Sequence, residues 1–167
     1  LGALVMWMGA GFAMLEAGLV RAKNTTEILT KNIALFAVAC TMYLICGYIM
    51  YGGGMFLSGT DNVASMTEEA VAGVLAGAKA FNDGAEDAGL QYSGASDFFF
   101  QVVFVAATMS IVSGAVAERM KLWAFLVFSV FLTGFIYPME GYWTWGGGFL
   151  SEAGFSDFAG SGIVHMA

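Results

Sequence analysis

The stretch "FFFQVVFVAATMSIVSGAVAERMK", residues 98–121, runs from Phe98 to Ala117 without a charge and then places Glu118, Arg119 and Lys121 within four positions. About 20 apolar residues is the length a helix needs to cross a hydrocarbon core about 30 Å thick. Residues 98–117 therefore read as a membrane span closed by a tight turn at "ERMK". Working outward, "IALFAVACTMYLICGYIMYGGGMFL" (33–57) and "LGALVMWMGAGFAMLEAGLV" (1–20) are two spans before it, and 122–150 is a fourth after it. Pro138 predicts a bend in that fourth span, close to one surface. A fifth begins near Ser161, within 159–167, and the sequence ends inside it. Composition agrees, with 59% hydrophobic residues, 11% charged residues and one proline in 167, and a mean hydropathy of +0.75. Such a chain cannot cover itself with a polar surface in water. The fold class is an all-α polytopic membrane protein. Residues 1–20 are not read as a signal peptide, because no basic segment precedes an apolar run that is too long for one.

The cations orient these spans. Arg21, Lys23 and Lys31 lie between the first and second spans, and Arg119 and Lys121 between the third and fourth, five of the six basic residues. The positive-inside rule makes both connections cytoplasmic. The 58–97 loop holds seven acids against Lys79 alone, so it faces outward and carries most of the net charge of −7. The N-terminus is then outside and the protein sits multi-pass in the cell membrane. Within the loop, Ser65 and Glu68 match a capping box and apolar residues recur at helical spacing, predicting a surface helix over 66–81.

Small residues at Ala106, Ser110 and Gly114, and at Gly11 and Gly18, allow close helix approach. Cys40 and Cys46 are six apart, about 9 Å along a helix axis and on different faces, so they do not pair with each other. "YGGGM" and "WGGGF" lack the lysine and the strand-to-helix setting of a phosphate loop and read as close backbone packing. No metal cluster and no nucleophile with a base is visible, so neither an enzyme, a cofactor nor a nucleic-acid partner is expected.

Ionisable groups inside spans are costly in hydrocarbon and mark a path or a pair. His165, the chain's one histidine, lies about 12 Å below Asp157 along a helix axis, near mid-membrane. It is either a pore group or a neutral imidazole bonded within the bundle. Glu16, in the first span, would pair with a basic loop residue or accept donors from a neighbouring helix. Phe100 and Phe104 stand one turn apart on one face. Trp145, at the outer end of the fourth span, is either an interface anchor or, with those phenyl rings, a site that holds a small cation by its attraction to π-systems.

"GFAMLEAGLVRAKN" (11–24), residues 98–120, "WGGGFL" (145–150) and "DFAGSGIVH" (157–165) together resemble the ammonium transporter family, Amt and Mep with their Rh relatives, in order along the whole chain. The resemblance implies a fold of two inverted five-helix repeats, of which this chain is the first, and a homotrimer with one pore per subunit. It makes Trp145 and Phe104 part of an outer ammonium-recruitment site, with Phe104 and Phe100 gating below it. Asp157 matches the acid that supports that site and is implicated in deprotonation, and His165 the first of twin pore histidines. A hydrophobic pore favours neutral ammonia over the ion, which is heavily penalised away from water. The resemblance also implies a cytoplasmic regulatory partner. An ammonium sensor, the same fold joined to a signalling module, is the alternative to transport. Glu140, just below Trp145, has no counterpart role to inherit.

Overall fold

In the computed structural model of the chain, residues 1–51, 94–157 and 160–166 are described. The first helix, α1 (Gly2–Leu19), has no proline and ends where Val20 and Arg21 turn to extended backbone. After a 3-10 turn over Ala22–Asn24, α2 (Thr25–Cys46) runs 22 residues and tightens into another 3-10 turn at Gly47–Tyr51. α3 (Gly94–Ala115) follows. The next span is built of α4 (Leu122–Phe131), a π-turn at Leu132–Ile136 and α5 (Tyr137–Thr144). Two single turns, α6 (Phe149–Glu152) and α7 (Ile163–Met166), complete the described residues, which contain no strand. Among the described residues four stretches are long and apolar enough to cross a membrane: Gly2–Leu19, Ala22–Cys46, Phe98–Ala115 and Leu122–Glu152.

The second span begins well before Ile33, where sequence placed it. "TTEILTKN" is helical, and its last two polar side chains have partners inside the bundle while Thr26, Glu27 and Thr30 stay exposed. Lys31 and Asn32 are both buried and reach Glu16 on α1 and Ser113 on α3. A polar stretch that reads as a loop is thus the first two turns of a span. The acidic loop 58–97 and its expected helix over 66–81 fall outside the described residues, apart from the first turn of α3.

α3 is the centre of the bundle and packs against α1 and α2. Val102, Val103, Val105, Ala106, Ala107 and Met109 are buried along it, and half of its span is enclosed, against 17% for α1. Ala106 and Ser110 lie in that packed face as their spacing suggests. Gly11 and Gly18 do not: no described atom lies within 4 Å of where a Cβ would stand at either, whereas Gly9 faces the Phe36 ring.

The fourth span changes helix type just before Pro138. Proline has no N–H to give to the carbonyl four residues back. The π-turn takes up the mismatch, with the Tyr137 N–H donating to the Leu132 carbonyl, and Pro138 falls in the first turn of α5, where a missing donor costs least. At the top of the span, Gly146 and Gly148 leave no room for a Cβ against the backbone of Met50 and of Tyr142–Trp143, and Gly147 has φ +80°. "WGGGF" is a packing motif, as read from sequence.

Candidate functional site

Trp145 ends α5, and its indole Nε1 donates 2.7 Å to the backbone carbonyl of Asp157, twelve residues on. The ring lies over Gly160, where a Cβ would come within 3.4 Å of its Cη2 and 2.9 Å of Val164 Cγ2. Gly160 has φ +73°, a conformation that costs glycine little. No periodicity pointed to Gly160; the signal was its place in "DFAG". A glycine here therefore serves twice, for the turn and for the seat of the indole.

Asp157, 9% exposed, turns its carboxylate onto the start of the last helix. Its Oδ1 accepts from the Ser161 N–H at 2.9 Å, and its Oδ2 from Gly162 at 2.9 Å and Ile163 at 3.0 Å. Burial alone would raise its pKa. The N–H groups of Ile163, Gly162, Ser161 and Gly160 outweigh that and hold it below the ordinary aspartate value. A carboxylate so occupied is a good support and a poor base, which favours the supporting half of the role expected of it. The cap fixes α7, whose Ile163 and Val164 are buried while His165 is exposed.

Phe100 and Phe104 meet edge to face, ring centroids 4.9 Å apart at 69°. Phe104 packs against the core cluster that contains Val103, Tyr137, Ile163 and Val164. One apolar cluster therefore joins the phenyl pair to the turn that carries His165. The structure brings Trp145, Asp157 and Gly160 into contact, ties His165 to them through the capped turn, and reaches the phenyl pair through the core.

A second polar centre joins the four spans. Glu16 Oε2 accepts from Ser113 Oγ at 2.8 Å and Asn32 Nδ2 at 3.3 Å, and lies 3.6 Å from Lys31 Nζ. Lys31 also donates to the Ser113 carbonyl at 3.0 Å and stands 4.9 Å over the Phe125 ring. The pairing expected of Glu16 exists, with a helical lysine in place of a loop residue. Spacing could not reveal this, because the partner lies across the bundle. Along the fourth span Ser129, Thr133, Tyr137, Glu140 and Thr144 recur on one face, and the side-chain oxygens Ser129 Oγ, Glu140 Oε2 and Thr144 Oγ1 find no hydrogen-bond partner among the described residues. Among the described residues no cluster of histidine, cysteine or carboxylate is placed to hold a metal ion.

Four apolar spans, three of them packed about α3, with Glu16 paired to Lys31 inside, define a polytopic membrane protein. The chain belongs to the Ammonium Transporter Family, whose sequence pattern matches residues 1–167. Similar proteins include sll1017 of Synechocystis sp., 42% identical over 175 residues that cover 97% of this chain and 34% of that one. The ammonium transporter Amt2 of Archaeoglobus fulgidus is 38% identical over 174 residues, 98% of this chain and 33% of the relative. The ammonium transporter Amt2 of Haloferax mediterranei is 39% identical over 162 residues, 97% and 33%. The chain thus spans about a third of the length of these relatives.

Proposed function

We propose that this chain forms the first repeat of an ammonium transporter, a homotrimer of the cell membrane with the N-terminus outside. Trp145 and Phe104 recruit ammonium through their π-faces, Phe104 and Phe100 gate the way below, and His165 lines the pore beyond. Asp157 organises the site without binding substrate. Ammonium sheds its proton as it leaves the aromatic site for the dry pore, since the ion is penalised there and neutral ammonia is not. Potassium has no proton to give up and is refused. A cytoplasmic regulatory protein is its partner, acting largely through regions outside this chain.

The observation that carries this reading is the Trp145–Asp157–Gly160 contact. A cation-attracting ring, a capped carboxylate and the helix turn bearing the one imidazole are tied together within 21 residues of sequence. An interface anchor needs none of that.

The test uses the full-length protein in proteoliposomes, measuring ammonium-triggered current and uptake for wild type and His165→Ala. Saturable uptake is expected, with its rate or its selectivity over potassium altered by the substitution. Ammonium binding without flux, indifferent to His165→Ala, would overturn the transport reading and favour a sensor.

A further inference from the structure

An ammonium ion that enters a dry pore as ammonia must leave a proton behind. Asp157 is poorly placed to take it, because its oxygens accept from the Ser161, Gly162 and Ile163 N–H groups. Glu140 is a carboxylate without such duties. It lies on α5, five residues and about 7.5 Å of helical rise before Trp145. The residue is half-buried, its Oε2 is enclosed, and that oxygen has no hydrogen-bond partner among the described residues. The elements packed against α5 are the Gly47–Tyr51 turn, the π-turn, α6 and α7, and none of them carries a lysine or an arginine. Their titratable groups are Tyr48 and Tyr51 of the turn, the exposed Glu152 and the exposed His165, beside Tyr137 and Tyr142 of α5 itself. A carboxylate inside a span with neither a cation nor a donor is costly and marks a path or a ligand.

Two hydroxyls share its face of α5, at spacings that make neighbours on a helix surface. Thr144, four residues on, is 5% exposed and its Oγ1 has no partner among the described residues. Tyr137, three residues back, is wholly buried, and its hydroxyl stands beside Thr108, whose own proton goes to the Phe104 carbonyl at 3.0 Å. The Glu140 and Asp157 carboxylates both act on the Tyr137 hydroxyl through space. Tyr137 also belongs to the apolar cluster of Val103, Ile163 and Val164, against which Phe104 packs. This face of α5 therefore leads from the level of Trp145 inward to the phenyl pair and offers oxygen acceptors along the way. Ammonium, like the head of a lysine, has N–H donors and no acceptor, so such a face suits it.

We propose that Glu140 accepts the proton that ammonium sheds on the inner side of Trp145, a step that rests on the transport reading above. One N–H bond of ammonium breaks and an O–H bond forms at Oε2, leaving ammonia and a neutral carboxylic acid, so the ion and the carboxylate lose their charges together. The Thr144 and Tyr137 hydroxyls position the ion by accepting from its other N–H groups. Glu140 recharges by giving its proton to water before the next ion arrives.

The test measures saturable ammonium uptake by the full-length protein in proteoliposomes for wild type, Glu140→Gln, Glu140→Asp and Glu152→Gln, each rate referred to the amount of folded protein. Glu152 is an exposed acid farther out on the same span, and the step does not use it. Glu140→Gln should lower kcat by about 100-fold with little change in KM, the least that a positioned proton acceptor contributes. Glu140→Asp, which keeps the acid at a shorter reach, should recover part of the loss, and Glu152→Gln should match wild type. Should Glu140→Gln fail to fold, Glu140→Asp alone should lower kcat with KM unchanged, and a wild-type kcat there overturns the step. A Glu140→Gln protein with wild-type kcat, or one altered only in KM, also overturns it, the second result leaving the carboxylate as an attraction for cations. Absence of uptake by wild type would fail the transport reading itself, and this step with it.

Discussion

Asp157 concentrates the most consequence in one side chain. Three backbone N–H groups lose their acceptor if it is removed, so Asp157→Ala should cost about 1–2 kcal/mol of stability, read from thermal unfolding of the full-length protein. The sign of the pH effect follows from the lowered pKa. A carboxylate whose folded value lies below its ordinary 3.8 stabilises fully above that value, and its contribution is lost as the pH falls through the folded one. Wild type should therefore lose stability faster than Asp157→Ala below about pH 4, and parallel pH profiles would rule this cap out as the cause. Thr144 makes the opposite case. Its hydroxyl is buried without a partner among the described residues, so Thr144→Val should be stabilising by about 1 kcal/mol. A loss of stability would mean that the hydroxyl has a partner beyond the described residues.

At the scale of elements, the Glu16–Lys31 pair decides how α1, α2 and α3 meet. Removing one member leaves the other charge buried, whereas removing both leaves an apolar contact. Lys31→Met should cost about 3–5 kcal/mol, and Glu16→Leu/Lys31→Met appreciably less than that single change. A double-mutant cycle on thermal or denaturant unfolding measures the coupling. Additive losses would mean that the two side chains act separately. Among elements, the fourth span shows the clearest division of labour. Its proline is legible in sequence as an interruption of the span. The π-turn that absorbs it is not, because no local pattern records which carbonyl the Tyr137 N–H will find.

For the whole molecule, the fold was legible because the bilayer makes a strong demand on sequence. Each span must be long, apolar and internally hydrogen-bonded, and such runs can be counted. The limits of that count appear at Thr25–Asn32, where polar residues were read as a connection and instead form two helical turns that bury Lys31 and Asn32. The membrane penalises polar side chains only when they lack partners, and the partners lie on other helices. The candidate site divides in the same way. Trp145, Phe100, Phe104, Asp157 and His165 were named from spacing and from resemblance to a family. Their arrangement, with the indole on the Asp157 carbonyl and the carboxylate spent on capping, came from the fold. Sequence alone determined the class of protein, the presence of its apolar spans and the identities of its chemical groups, because hydropathy and helical period are local properties of the chain. Tertiary structure alone decided the pairing of Glu16 with Lys31, the seat of Trp145 on Gly160, and the clamp of Arg21 on Glu118. Each joins residues far apart in sequence or turned toward each other by a left-handed glycine turn, so its energy exists only once the helices have packed.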